Sequence, residues 1–348
     1  MNDTASKLSK LLETKAAIKQ AIIDKGVEVP DSTTFDEYPN KIAAIEGGNS
    51  GPDYTAVYLT ATKEGTTYSK LFYDNTLTEI NCSDYDTSNV INMEKTFYSC
   101  ENLQSLDLSK WNTSNVTTMY QMFYFCESLT SLGDLSNWDT SNVTNMNEMF
   151  QGCNKLILIE GLNNWNTSQV TNMGYMFRSC ESLTSLDVSN FNTSNVTNMD
   201  GMFYQCGDLT SLDLSNFDTS QVTSMYQMFR GCSSLTTLDL SNFDTSNVTN
   251  TSYMFMACSN LTELDLSNFD MTNVTNKSTM FYQCSKLHTL RLDNCSNDTI
   301  NKMITLTSFP TGTITDSEGN AIPRKIYCKE ANAAGLTAPT NWVFEFID

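Results

Sequence analysis

Hydrophobic residues return along this chain in one fixed order. From Leu77 to Asn294 that order is written eight times, as in Leu209 to Cys232: Leu-Thr-Ser-Leu-Asp-Leu-Ser-Asn-Phe-Asp-Thr-Ser-Gln-Val-Thr-Ser-Met-Tyr-Gln-Met-Phe-Arg-Gly-Cys. Leu212 and Leu214 flank the polar Asp213, the alternation of a short strand with one buried face. Phe217 fills a corner. Asp218, Thr219 and Ser220 are helix-capping types, and Val222, Met225, Met228, Phe229 and Cys232 follow at helical spacing. Every coil is therefore expected to run strand, corner, short helix, turn.

The cysteines mark the period. Cys100, Cys126, Cys153, Cys180, Cys206, Cys232, Cys258 and Cys284 are separated by 26 or 27 residues. A unit of this length cannot bury its apolar face alone and does so only against its neighbours, which is the signature of a solenoid. The predicted fold is an α/β repeat solenoid, a leucine-rich-repeat-like stack of short parallel strands and short helices about 40 Å long at strand spacing. The corner residues Tyr85, Trp111, Trp138, Trp165, Phe191, Phe217, Phe243 and Phe269 form one of its core ladders. The two longer repeats carry an extra residue beside Gly133 and Gly161, where glycine absorbs a bulge.

The ends read differently. Residues 1–46 form a predicted helical hairpin. Leu8, Leu11, Ile18 and Ile22 follow an a/d spacing suited to self-pairing, and Thr34 with Glu37 opens a second helix bearing Phe35, Tyr38 and Ile42. Residues 47–76 are expected to be a glycine-rich linker followed by cap strands carrying Tyr54, Val57, Leu59, Tyr68 and Phe72. Residues 77–295 are the solenoid, and 296–348 a small C-terminal cap. In that cap Ile314, Ile322, Ile326 and Tyr327 suggest a hairpin, Cys328 to Gly335 a short helix, and Trp342 to Phe346 a last strand.

Composition narrows the function. Forty acidic against 20 basic residues give a formal charge of −20, which repels nucleic acid and anionic membranes. Eight of the 11 cysteines share one position per repeat. They are read as buried thiols, and none has the short spacing of a zinc site. The first residues lack the apolar core of an export signal, and no stretch is long enough to span a membrane.

The repeat Leu-x-x-Leu-Asp-Leu-Ser-x-Phe/Trp-x-Thr-Ser-x-Val-x-x-Met-x-x-Met-Phe-x-x-Cys resembles the leucine-rich-like repeats of bacterial surface proteins related to the BspA-like group. The resemblance implies an adhesive solenoid without catalysis. Thr251 and Lys277 depart from it by replacing the first methionine, so looser coils are expected there. The segment Leu12 to Val27, with Phe35, Tyr38 and Ile42, is similar to the N-termini of tailed-phage fibre and tail proteins. That similarity implies attachment to other virion proteins.

Candidate chemistry is sparse. The single histidine, His288, has an outward position, and no hydrolase motif or phosphate-binding glycine loop occurs. Strand aspartates including Asp187, Asp213, Asp239 and Asp265 should stack about 5 Å apart. They are satisfied either by neighbouring hydroxyl groups such as Ser211 and Ser215, or by a cation such as calcium. No cofactor is expected. The variable position after Met-Phe offers a recognition ridge of Tyr98, Tyr124, Arg178, Tyr204, Arg230 and Tyr282, since tyrosine and arginine are enriched in binding surfaces. Together with the absence of an export signal, the two resemblances imply a non-enzymatic phage virion protein, a fibre or tail-associated adhesin assembled in the host cytoplasm. It would bind a host surface protein or glycan and form a homo-oligomer, with a trimer favoured. A bacterial surface adhesion protein and a capsid decoration protein are the alternatives.

Overall fold

The computed structural model describes residues 68–347 except Asp84 and Thr307. The expected helices of residues 1–46, with Leu8, Leu11, Ile18 and Ile22, lie outside the described residues, as do Tyr54, Val57 and Leu59.

The repeats stack as a right-through column of coils with parallel pairing. One ladder of bridges links Asn92, Thr118, Asn145, Asn172, Asn198, Ser224, Asn250 and Asn276. Beyond it, the segment from the first Met to Cys is a run of turns rather than the expected helix. The N–H groups of Met93, Lys95, Phe97 and Ser99 donate to Thr118, Tyr120, Met122 and Tyr124 of the next coil. Those of Thr96, Tyr98 and Cys100 close turns onto Met93, Lys95 and Phe97. Lys95 (φ 55°) and Ser99 (φ 54°) stand third in two of these turns, the left-handed position of a type II turn. Left-handed residues recur at both places in every coil down to Thr279 and Gln283.

Spacing between coils explains the correction. Phe72, Phe97, Phe123, Phe150, Phe177, Phe203, Phe229, Phe255 and Phe281 form one stacked column with ring centroids 5.0 to 6.0 Å apart. An α-helix is about 10–12 Å across with its side chains and uses its N–H groups internally, so a helix in each coil does not fit this spacing. The run of turns buries the same Val, Met, Phe and Cys positions while hydrogen-bonding to the coil beside it. Tyr68 and Phe72, expected in cap strands, also belong to such a run: Tyr68 and Phe72 N–H donate to Asn92 and Thr96. The stack thus begins at least one half-coil earlier than the repeat pattern suggests.

Polar groups inside the stack are satisfied from coil to coil. Buried Thr193 donates its hydroxyl to Asp218 C=O and accepts from Asp218 N–H, both at 2.8 Å, and Thr219 does the same with Asp244. Each repeat cysteine donates its thiol to a phenylalanine carbonyl one coil back, as Cys206 does to Phe177 at 3.2 Å. All 11 thiols are free and buried. Burial pushes the thiols of Cys206 and Cys284 up to about 12, and those of Cys180, Cys232 and Cys258 well above the ordinary thiol value, which keeps these groups protonated. Gly133 and Gly161 have φ of +72° and +87°, as their bulges require, and a Cβ on Gly161 would lie 2.1 Å from Ser136 N.

The leucine side of the coils is extended and becomes a regular sheet at the C-terminal end. Strands β1 (Glu263–Asp265) and β2 (Thr289–Arg291) are continued by β5 (Arg324–Lys329) and β6 (Trp342–Ile347), all parallel, in the order β1-β2-β5-β6. Helix α1 (Asn297–Ile304), which the repeat pattern did not reveal, is capped by Ser296 and follows β2. The hairpin is β3 (Ile314–Thr315) with β4 (Ala321–Ile322), so Ile326 and Tyr327 belong instead to the main sheet. The short helix expected at Cys328 is a single 3-10 turn, Glu330–Ala333.

The two departures from methionine have separate outcomes. Lys277 is tied to the cap, its Nζ donating to Lys302 C=O at 2.6 Å beside the end of α1. Thr251 is fully buried and its Oγ1 has no hydrogen-bond partner among the described residues. An unpaired buried hydroxyl costs about 1–3 kcal/mol. Thr251→Met, restoring the side chain of the other coils, should therefore stabilise the chain by ~1 kcal/mol, read as a higher urea midpoint with an unchanged slope.

Candidate binding surface

In every coil but that of Gln151, the run of turns leaves the side chain immediately after the core phenylalanine partly or fully exposed. There Tyr73, Tyr98 and Tyr124 stack with centroids 4.8 and 4.7 Å apart and rings within 10° of parallel. Further along, Tyr204 lies between two guanidinium groups, those of Arg178 and Arg230, each 5.0 Å from its ring centre. Arg178 also covers Tyr175 at 5.4 Å, and Arg230 covers Tyr253 at 5.6 Å. Tyr282, 45% exposed, ends the column. The six residues expected to form a ridge therefore share one column.

Gln151 interrupts it. That side chain is buried, and its Oε1 is unpartnered among the described residues. Two members were missed in sequence. Tyr73 extends the stack, and the Phe72-Tyr73 dipeptide repeating Phe97-Tyr98 was the available signal. Lys95 lies 5.9 Å from the ring of Tyr98 and 5.2 Å from that of Tyr120; its position gave no such signal.

Electrostatics on this column are local. Among the described residues the guanidinium groups of Arg178 and Arg230 enter no hydrogen bond or ion pair, although cation–π contact holds both in place. Their donors are thus available for a planar acceptor or for several hydroxyl groups. Burial raises the phenols of Tyr98 and Tyr124, each helped by a neighbouring tyrosine, and raises Tyr175 to about 12. The rings accordingly remain neutral hydrogen-bonding groups. Because their faces are occupied by one another, the stack presents ring edges and hydroxyls.

The strand aspartates find local donors. Asp213 accepts from Ser215 N–H at 3.0 Å, Asp239 from Ser241 at 2.9 Å, Asp265 from Ser267 at 2.9 Å, and Asp187 from both the N–H and the hydroxyl of Ser189. Ser215, not Ser211, is thus the serine bonded to Asp213. These bonds hold Asp213 and Asp239 below the usual carboxylate range, while the charge of Asp213 opposes the shift at Asp239. Asp265 also faces Arg291 Nε at 3.8 Å. Among the described residues no three His, Cys, Asp or Glu side chains are grouped to hold a metal ion. His288 Nδ1 lies 3.0 Å from Thr289 Oγ1, in the sheet rather than on the ridge. A polar notch of 390 Å³ beside the ridge is lined by Glu181, Ser182, Gln205, Gly207, Asp208 and Gly231. No helix among the described residues is long and apolar enough to cross a membrane.

Several solved structures are similar to the chain. A leucine rich cell surface protein from Faecalibacterium prausnitzii is 19% identical, covering 64% of this chain and 75% of that one, with a TM-score of 0.30. A leucine-rich repeat protein from Eubacterium ventriosum is 20% identical over 71% and 88% of the two chains, with a TM-score of 0.29. One from Bacteroides ovatus is 16% identical over 77% and 74%, with a TM-score of 0.31. No curated protein matches the chain. The family described as Mycoplasma protein of unknown function, DUF285, matches in three overlapping stretches, 59–155, 130–235 and 208–309, and the chain belongs to that family.

Proposed function

We propose that this chain is a non-enzymatic adhesive scaffold whose tyrosine–arginine ridge contacts a protein or glycan on a cell surface. The observation that carries this reading is the Arg178–Tyr204–Arg230 sandwich, two fixed guanidinium groups with unused donors on a row of half-exposed rings. Residues 12–27 support placing the scaffold on a phage particle as a fibre or tail-associated protein, joined to other virion proteins and to its own copies, in a trimer, through Leu8, Leu11, Ile18 and Ile22. Membership in a family named for a Mycoplasma protein supports a second reading, adhesion at a bacterial surface.

Replacing Tyr124, Arg178 and Tyr204 together by alanine should reduce adhesion of the full chain to immobilised target cells at least tenfold, with the far-UV spectrum unchanged. Undiminished adhesion by a folded triple variant would remove the ridge from the reading. Immunogold labelling separates the two settings: label on tail structures of particles supports the virion reading, and label on cell envelopes supports the second.

A further inference from the structure

The C-terminal sheet ends on an open edge. Lys325 N–H donates to His288 C=O and Tyr327 C=O accepts from Leu292 N–H, so the odd-numbered residues of β5 face β2. Ile326 and Cys328 therefore face β6, where the register sets Ile326 beside Phe344. In a parallel pair such a residue bonds to the two flanking its partner, here Val343 and Glu345. The outward N–H and C=O groups of β6 are consequently those of Phe344 and Phe346, together with the C=O of Trp342. No other described strand lies beyond β6.

Side chains on this edge are as unfinished as its backbone. Arg324, Ile326 and Cys328 of β5 are buried on the core face. Trp342, Phe344 and Phe346 continue that face on β6, but exposure rises from 4% at Trp342 to 52% at Phe346, where no further coil among the described residues covers it. The edge carries no proline, lysine or bulge, and its one charged residue, Glu345, is paired with Lys325 of β5 at 2.9 Å. Charge opposes contact between two such ends only weakly. The chain carries −20 overall, yet within residues 296–347 Lys302, Arg324, Lys325 and Lys329 offset four of the five acids Asp298, Asp316, Glu318, Glu330 and Glu345.

We propose that β6 pairs antiparallel with β6 of a second copy, about a two-fold axis through Phe344, joining two solenoids tail to tail. This register makes Phe344 the hydrogen-bonded pair with itself and aligns Phe346 N–H with the C=O of the partner's Trp342, giving about four interstrand bonds. It lays Trp342 opposite the partner's Phe346, and six aromatic rings then close one shared core. The register centred on Glu345 would set two carboxylates directly opposite each other, which is unfavourable.

Light scattering after size exclusion tests this on the full chain. Phe346→Lys should halve the particle mass while leaving the circular dichroism unchanged, and Leu11→Asp with Ile18→Asp should leave the tail-to-tail contact intact. Phe344→Cys should give an intermolecular disulfide under mild oxidation, against a low background because the native thiols are buried. An unchanged mass for Phe346→Lys, or crosslinking through Glu345→Cys in place of Phe344→Cys, would overturn the proposal.

Discussion

Phe177→Ala lowers the stability of the stack by ~3–5 kcal/mol, the range for removing a buried aromatic ring. Phe177 is fully buried, with its ring between those of Phe150 at 5.7 Å and Phe203 at 6.0 Å. Neither neighbour can collapse into the gap, since each is held by its own partner on the far side. In a one-dimensional array a lesion at mid-stack also uncouples what lies on either side. Hydrogen exchange read coil by coil should then show the coils before Gln151 and those after Arg230 opening with different free energies. A loss below about 1 kcal/mol would show that the ring column is not a continuous core.

The second large effect is at the other kind of position, the end of the stack. Arg324 is buried, and burial disfavours its charge. Its partners are carbonyls: Leu287 through Nη1, Ser285 at 3.0 Å and Gly312 at 2.9 Å through Nη2, with Nε also on Gly312. Ser285 follows the last repeat cysteine, where one more coil would have supplied a donor, as Ser234 does for Gly207 and Ser182 for Asn154. The guanidinium thus replaces the missing coil and rests over Trp342 at 5.5 Å. Arg324→Met leaves these three carbonyls without that donor, at about 1–3 kcal/mol for each that stays buried and unpaired, and should cost ~3–5 kcal/mol in all. Thermal unfolding should show this as a fall of roughly 10 °C in Tm. Arg324→Lys should recover only part of it, because one ammonium cannot reach three carbonyls in fork geometry. A change within about 0.5 kcal/mol for Arg324→Met would make the cap's apolar packing the sole terminator.

The solenoid and its core were legible because one side-chain order recurs, and averaging over eight copies removes local ambiguity. The column of Phe97, Phe123 and Phe150, the bulge glycines and the outward ridge all follow from position in the repeat. The conformation of the Val-to-Cys segment did not follow. Burial at Met119, Met122, Phe123 and Cys126 has the same spacing in a helix and in a run of turns, and only the distance to the adjacent coil separates them. Left-handed backbone at Lys95, Gln121 or Tyr175 gave no signal either, since these are not residue types that mark it. The cap was the least legible part. It occurs once, so α1 and the role of Arg324 had no repetition to expose them.

Successive coils present nearly the same surfaces to one another: a threonine that both donates and accepts, a thiol aimed at a carbonyl, and alternate turn N–H groups directed at the neighbour. Any coil can therefore follow almost any other. Recombination between copies of the 26-residue unit would delete or duplicate a coil and leave matched surfaces at the new joint. The length of the rod would then change in whole steps, one coil at a time, with the surfaces at either end left as they are.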